Sequence, residues 1–528
     1  MAITDLGSPQ PLQTSRRTDA RLALRNYGAA VLSGLLVLGS FPHLDWGWLA
    51  WIALVPMLLT YPHARLRDAL GQAFVFGFLY FGGVLYWLAI MAQHALGAAL
   101  GVVAWAIGSM AQVSVMLLFG FGAHLLSRVK GRWAWALGIP ALWTALEWVR
   151  QLGELGTGWG DLAYTQHNAL TILQLTKLGG VWPLTFLIVL VNMAVAGVIA
   201  RRNPPRFVQG VLCAFVLVLV FGGVSLRSEH LRPRYVAAAL QTNINPNVPW
   251  SQRRPEDPVY VENTMRSYSQ MEADAAARGA IFAAWPEATF PGYLRDDPEL
   301  AGRVALDCAH NGQTLLIGGN EWDAQTRSDG NSVFLVDKSG TIRGSYVKRQ
   351  LVPFGEYVPG RDWLKFLVAL HLTIYDRKKG AARQALLDAG APIGRVGVAI
   401  CYESSYGELT REQVARGAGL LSVVTDDTWF GRTAAARQHA AIAAIRAAEC
   451  DRYLVRAGST GISQILDPAG RVLTEAPLFE SRLLTAPVES RTTRTLYTRW
   501  GDWFVWLCWG VLAVILGAAL RRRPEGDQ

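Results

Sequence analysis

The sequence predicts a polytopic α-helical membrane domain of about eight spans joined to an extracytoplasmic α/β domain. Composition is the first reason: of 528 residues, 51% are hydrophobic, only 17% are charged and 20 are tryptophan, and the mean hydropathy is +0.21. The second is the recurrence of apolar runs long enough to cross ~30 Å of hydrocarbon at ~1.5 Å per residue. The third is a more polar block over 228–498, in which short β-like runs alternate with segments of helical spacing.

The apolar runs lie near 24–42, 46–62, 69–92, 95–127, 133–151, 179–200, 207–226 and 503–520. The first two are closely joined through Phe41-Pro42, and Pro140 interrupts the fifth. Basic residues resist translocation, so their positions orient the spans. Arg16, Arg17, Arg21 and Arg25 precede the first run, and Arg65 and Arg67 separate the second from the third. Arg128, Lys130 and Arg132 follow the fourth, Arg201, Arg202 and Arg206 follow the sixth, and Arg521 to Arg523 follow the last. This alternation predicts a cytoplasmic tail over 1–23, a seven-span bundle over 24–227, an external domain over 228–498, and a final span with a cytoplasmic tail over 499–528. In a bacterial cell the domain would lie on the periplasmic side of the inner membrane. The net charge of +10 and isoelectric point near 9.5 follow from this topology signal. They suit a surface near anionic lipid, not a nucleic-acid partner, which would call for a basic patch on a soluble module. No small-residue cleavage site closes the first run, which is therefore expected to direct insertion itself.

Within the external block, 235–240, 280–285, 314–319, 331–336, 341–347, 395–400, 420–425, 453–457 and 463–466 read as strands. Asp337-Lys338-Ser339-Gly340 and Asp467-Pro468-Ala469-Gly470 carry hairpin turn chemistry. Segments 258–278, 298–311, 408–417 and 437–452 read as helices. The alternation implies a layered α/β fold. Cys308, Cys401 and Cys450 fall in this block; three is odd, so at least one thiol there is unpaired within the chain. No cysteine or histidine spacing suits zinc, and neither a metal nor another cofactor is expected.

Three residues, each just after a β-like run, carry the chemistry: Glu287 in W-P-E, Lys348 in Y-V-K-R and Cys401 in V-A-I-C-Y-E. A thiol near pKa ~8.5 is only a few per cent thiolate at neutral pH, so a nucleophilic cysteine needs a base or a cation beside it. A carboxylate can take its proton, and an ammonium can stabilise an oxyanion. Glu356, close in sequence to Lys348, is placed to orient the lysine or relay a proton. Each residue taken alone has a bland reading, an inert buried thiol or a solvated loop charge. The three motifs together favour a reactive site.

W-P-E-A-T-F-P, V-K-R-Q-L-V-P-F-G-E-Y-V-P and I-C-Y-E resemble the three signature stretches of the nitrilase (carbon–nitrogen hydrolase) superfamily. With eight spans around them, and with Asp427-Thr428-Trp429-Phe430-Gly431, Gln438-His439 and Thr460-Gly461, essentially the whole chain resembles the apolipoprotein N-acyltransferase family. That resemblance implies an αββα nitrilase-like sandwich with Cys401 as nucleophile, Glu287 as general base, Lys348 as oxyanion stabiliser and Glu356 as auxiliary glutamate. Tyr402, Glu403, Trp250 and Trp429 fall at substrate-lining or supporting positions, and the role of Asp426 stays open. The implied reaction is ping-pong. A phospholipid such as phosphatidylethanolamine acylates Cys401, and the α-amine of a diacylglyceryl-modified apolipoprotein takes the chain. Nothing in the sequence demands more than a monomer.

A membrane-tethered amidase or nitrile hydrolase using the same Glu-Lys-Cys triad is the alternative. A transporter or scaffold would need broken helices or polar groups at the bilayer midplane, and the runs show few. Trp250 and Trp429 are equally readable as packing residues. His439, in an alanine-rich helical run, reads as structural, not as a partner for the thiol. Glu147 and Arg150, at the outer end of the fifth run, either pair with each other or meet headgroups. Trp363 to Tyr375 is too apolar for an exposed loop and too short to span, which predicts a lid at the interface or a buried helix of the sandwich.

Overall fold

The computed structural model describes residues 12–201, 204–228, 231–244, 257–325, 327–360 and 377–521. Among them, four helices are long and apolar enough to cross a membrane: Ala98–Arg128, Trp182–Ile199, Pro205–Arg227 and Trp503–Arg521. A fifth span results if Leu66–Gly82 and Trp87–Gln93, which meet at 54°, act as one broken crossing. The helix Leu12–Ser40 and the Pro140-containing helix Arg132–Val149 complete the main helical framework.

The second apolar run departs from the expected continuous span. Gly47–Trp51 is a 3-10 turn and Val55–Thr60 a short α-helix opening at Pro56. A break among apolar helices strands backbone groups that hydrocarbon cannot satisfy. The buried Asn192 side chain meets two of them, accepting from Leu54 N at 2.8 Å and donating to Ala50 O at 2.8 Å. Ser33 Oγ accepts from Met57 N at 3.1 Å.

The α/β region contains twelve strands among the described residues: β1 (Tyr235–Gln241), β2 (Ala280–Ala284), β3 (Thr314–Asp323), β4 (Ser328–Val336), β5 (Ile342–Val347), β6 (Leu387–Asp388), β7 (Arg395–Ile400), β8 (Leu420–Thr425), β9 (Leu454–Gly458), β10 (Gln464–Leu466), β11 (Val472–Glu475) and β12 (Arg482–Val488). They form two six-stranded sheets, ordered β12-β1-β2-β3-β4-β5 and β11-β10-β9-β8-β7-β6. Ala237, Phe282, Leu316 and Leu335 of the first sheet pack against Val398, Ile400, Val424 and Val455 of the second. Helices Pro258–Ala277 and Pro298–Asn311 cover the outer face of the first sheet. Helices Gly407–Ala415 and Ala434–Cys450 cover that of the second. The layering is αββα.

All nine expected strand segments are strands. The three not foreseen lie at sheet edges: β6 has only two residues, β11 is mostly exposed, and β12 carries Pro487, which an edge tolerates because it need not donate there. Helix Ala434–Cys450 explains how the two halves join. Its Ala443, Ala444 and Ala447 pack on the second sheet, while Ala435, Ile442, Ile445 and Ala448 belong to the core shared with the apolar helices. All of this helix except Arg437 is buried, and alanine lets both neighbours approach. Gln438 fastens the junction, accepting from Trp159 Nε1 at 2.7 Å and donating to Pro42 O at 3.1 Å.

Candidate active site

Glu287, Lys348 and Cys401 follow β2, β5 and β7, so three strand ends deliver them to the same rim of the sandwich. Gly318 in β3 makes room for the loop that carries Glu287: a Cβ there would lie 2.0 Å from Pro286 O. Thr289 N and Phe290 N both donate to Gly318 O, pinning the loop to the sheet.

Lys348 is 1% exposed, and its Nζ donates to Glu287 Oε1 and Glu356 Oε1, each at 3.0 Å. Asn331 Nδ2 donates to the same two oxygens, at 2.6 and 3.2 Å. The second oxygen of each carboxylate accepts from a backbone amide, Asp426 N to Glu287 at 2.9 Å and Val352 N to Glu356 at 2.8 Å. Burial alone would lower the pKa of Lys348, but the Glu287 and Glu356 carboxylates outweigh it and hold the ammonium above its ordinary value. Burial would likewise raise Glu356, yet Lys348 keeps it below the usual carboxylate range. Lys348 and Glu356 are thus each held in the charged form.

Cys401 opens a one-turn helix, Cys401–Ser405, with φ of +52°, a left-handed conformation that costs a non-glycine residue energy and ends β7 in a sharp elbow. Burial, then the Glu287 charge, pushes its thiol well above the ordinary range, with Lys348 opposing. The resting group is therefore a thiol that needs a base. Glu403 braces the elbow: Oε2 accepts from Ile400 N at 2.8 Å, while Oε1 accepts from Arg349 N at 2.5 Å and Gln350 N at 3.1 Å. One fully buried carboxylate thus ties the strand end bearing Cys401 to that bearing Lys348. His439 holds the opposite side, with Nδ1 3.0 Å from Asp427 Oδ1 and Nε2 3.1 Å from Cys401 O. Burial, then Arg456, lowers the pKa of His439, so the ring is neutral; its contact is with the elbow backbone, in keeping with a structural role.

Tyr402 Oη donates to Gly156 O at 3.0 Å, linking the elbow to the loop after helix Arg132–Val149. Trp429 is half-buried on the turn Asp427–Phe430. The Asp426 side chain caps that turn and accepts from Ser459 Oγ at 2.6 Å. Trp250 and the expected lid Trp363 to Tyr375 lie outside the described residues. Sequence reasoning missed Asn331, whose signal is an amide at the polar start of a strand that turns apolar after Ser332, and the backbone amide of Asp426, which has no residue-type signal. Among the described residues no group of three or more His, Cys, Asp or Glu is arranged to hold a metal ion, and all five cysteines are free thiols.

The carbon–nitrogen hydrolase profile matches residues 236–497, and the profile of the apolipoprotein N-acyltransferase N-terminal domain matches 33–194. The apolipoprotein N-acyltransferase of Geobacter metallireducens is 35% identical over 516 residues, covering 96% of this chain and 97% of its own. The chain belongs to the apolipoprotein N-acyltransferase family. Its relative of that name in Azotobacter vinelandii is 32% identical over 95% of this chain and 96% of its own. Among solved structures, an amidase from Nesterenkonia sp. is similar over 53% of this chain and 99% of its own, at 20% identity and a TM-score of 0.37.

In this apolipoprotein N-acyltransferase family member, Glu147 and Arg150 neither pair with each other nor face headgroups. Arg150 pairs with the buried Asp161 and donates to Gln112 Oε1 at 3.1 Å and Trp159 O at 2.7 Å. Glu147 accepts from Trp143 Nε1, Leu162 N and Thr185 Oγ1 at 2.9–3.0 Å. The residue that alters the expected pairing is Asp161, which sequence distance had hidden.

Proposed function

We propose that this protein transfers an acyl chain from a membrane phospholipid to the N-terminal diacylglyceryl-cysteine of bacterial lipoproteins, through a thioester on Cys401. The observation that carries the reading is the meeting of a strained, protonated cysteine with a buried Glu287–Lys348–Glu356 cluster. Family membership supplies the substrate classes. Glu287 takes the thiol proton as Sγ attacks the sn-1 ester carbonyl of a lipid such as phosphatidylethanolamine. A lysine ammonium has three donors; two of those on Lys348 meet Glu287 and Glu356, and a third serves the oxyanion. Collapse breaks the ester C–O bond, the proton passes from Glu287 to the departing glycerol oxygen, and lysophospholipid leaves. The acceptor α-amine then attacks the thioester and gives up a proton through Glu287. Collapse breaks the C–S bond, forming the amide and restoring the thiol.

The topology we propose has eight crossing segments, both termini cytoplasmic, and the domain over 228–498 at the periplasmic surface, where headgroups and lipoprotein N-termini lie. Residues 24–227 form the bundle, 499–528 the last crossing and tail, and a monomer suffices. Tyr402, Trp250 and Trp429 act as substrate-lining groups and Glu403 as a positioning residue.

Intact-protein mass spectrometry after incubation with phosphatidylethanolamine tests this reading. A hydroxylamine-labile fatty-acyl adduct is expected on the wild type and none on Cys401→Ala. A folded wild type that gains no adduct would overturn the phospholipid-donor reading and leave hydrolysis by the same triad.

A further inference from the structure

A cavity of about 360 Å³ lies on the helical side of the elbow, lined in part by Trp148, Trp182, Tyr406, Arg446, Glu449 and Asp502. Its surroundings resemble the headgroup level of a bilayer: Trp500 and Trp506 are 64% and 62% exposed, and Trp148 and Trp506 pack edge to face at 5.4 Å. The lining holds three carboxylates, Glu408, Glu449 and Asp502, against one guanidinium, Arg446. Arg411, outside the lining, neutralises Glu408. With all three carboxylates ionised, one negative charge is in excess.

The polar groups are unevenly satisfied. Asp502 accepts from two neutral donors, Trp148 Nε1 at 2.9 Å and Trp182 Nε1 at 2.8 Å. Glu449 is fully buried and lies 3.1 Å from Arg446 Nε, yet neither of its oxygens accepts a hydrogen bond. A buried carboxylate lacking donors is costly, and burial pushes its pKa up to about 7. A ligand that brings N–H donors and positive charge would complete it.

We infer that this cavity binds the ammonium group of a membrane amphiphile, with Glu449 and Asp502 as its counter-charges. The inference rests on the lipid-handling reading above and adds a recognition site whose wall includes Gln350, two residues from Lys348, and Tyr406, five from Cys401. The ammonium can belong to an aminophospholipid headgroup or to the free α-amine of a diacylglyceryl-cysteinyl peptide.

The test uses full-length Cys401→Ala protein, so that binding is read without turnover. Native mass spectrometry measures retained phosphatidylethanolamine against phosphatidylglycerol of the same chains, and free-amine against N-acetylated diacylglyceryl-cysteinyl peptide. A preference of about tenfold for the ammonium form in at least one pair is expected, the size of one charge-assisted hydrogen bond. Glu449→Gln and Asp502→Asn, each added separately, should abolish it; the second keeps the Arg446 partner intact should the first fail to fold. The lipid pair showing the preference assigns the donor headgroup, and the peptide pair the acceptor. Equal retention within both pairs, or a preference that survives in the folded variants, overturns the site. Because no thioester is required, failure of the acyl-transfer reading would appear separately, in the adduct experiment.

Discussion

Lys348 with Glu287 and Glu356 at the sheet ends, and Arg150 with Asp161 and Glu147 among the helices, are built from the same parts: one buried cation beside two buried carboxylates. They differ in what the cation can still do. Both terminal nitrogens of Arg150 are committed in a fixed fork to Asp161, Gln112 and Trp159 O. The Lys348 ammonium is a compact charge with a donor to offer, and a thiol on a strained elbow lies within its field. The Arg150 cluster, bonded through both terminal nitrogens, ties a helix to its neighbours and to the loop that follows it. The Lys348 cluster, within whose field the thiol lies, is the one we propose does chemistry.

The largest effect should separate the two at once. Glu287→Gln removes the proposed base, so turnover should fall by about 10²–10⁴-fold in a steady-state acyl-transfer assay. Because the Glu287 charge raises the Cys401 thiol, the same variant should increase the thiolate fraction, read by ultraviolet thiolate absorbance. A folded variant that keeps wild-type turnover would show that Glu287 only braces the site.

Lys348→Met and Arg150→Met sharpen the comparison directly. Each leaves a buried carboxylate without its cation, which costs about 3–5 kcal/mol and should lower the melting temperature. Only Lys348→Met should also lose acyl transfer, by about 10²–10³-fold per folded molecule. Equal loss of specific activity in Arg150→Met would break the distinction between the clusters.

A smaller effect concerns acid. Glu356 is held below its ordinary pKa, so it contributes stability above its unfolded value of ~4.3 that is lost as pH falls through the lower folded value. Lys348 is raised, so its contribution is complete below ~10.4 and is lost only at more alkaline pH. Glu356→Gln should therefore flatten the decline of melting temperature between about pH 5 and 3 and, by removing one of the two carboxylates that hold Lys348 up, move the alkaline limb to lower pH.

The acidic, cationic and thiol members of the site were legible because each ends an apolar run in a distinctive motif, and run ends at a sheet rim are where side chains can meet. Their supports were not. Asn331 and the Asp426 amide act through contacts between segments 44 and 139 residues from Glu287. Glu403, foreseen only as a supporting or substrate-lining group, is a brace because three backbone amides from two strand ends happen to face it. Nine strands and four helices of the domain followed from periodicity. Edge strands β6, β11 and β12 did not, since short, exposed or proline-bearing edges lose the alternation that marks a strand.

Sequence by itself determined the membrane character, the α/β domain between apolar segments and the candidates for the reacting groups, because hydropathy, periodicity and residue chemistry are local properties. Tertiary structure decided which charges pair, why the second apolar run breaks around Asn192, and that one alanine-rich helix serves both halves. It also left the buried Glu449 oxygens without a hydrogen bond in a cavity wall. These depend on distances between residues far apart in the chain, and in low-dielectric surroundings such distances decide whether a charge is held, shared or available.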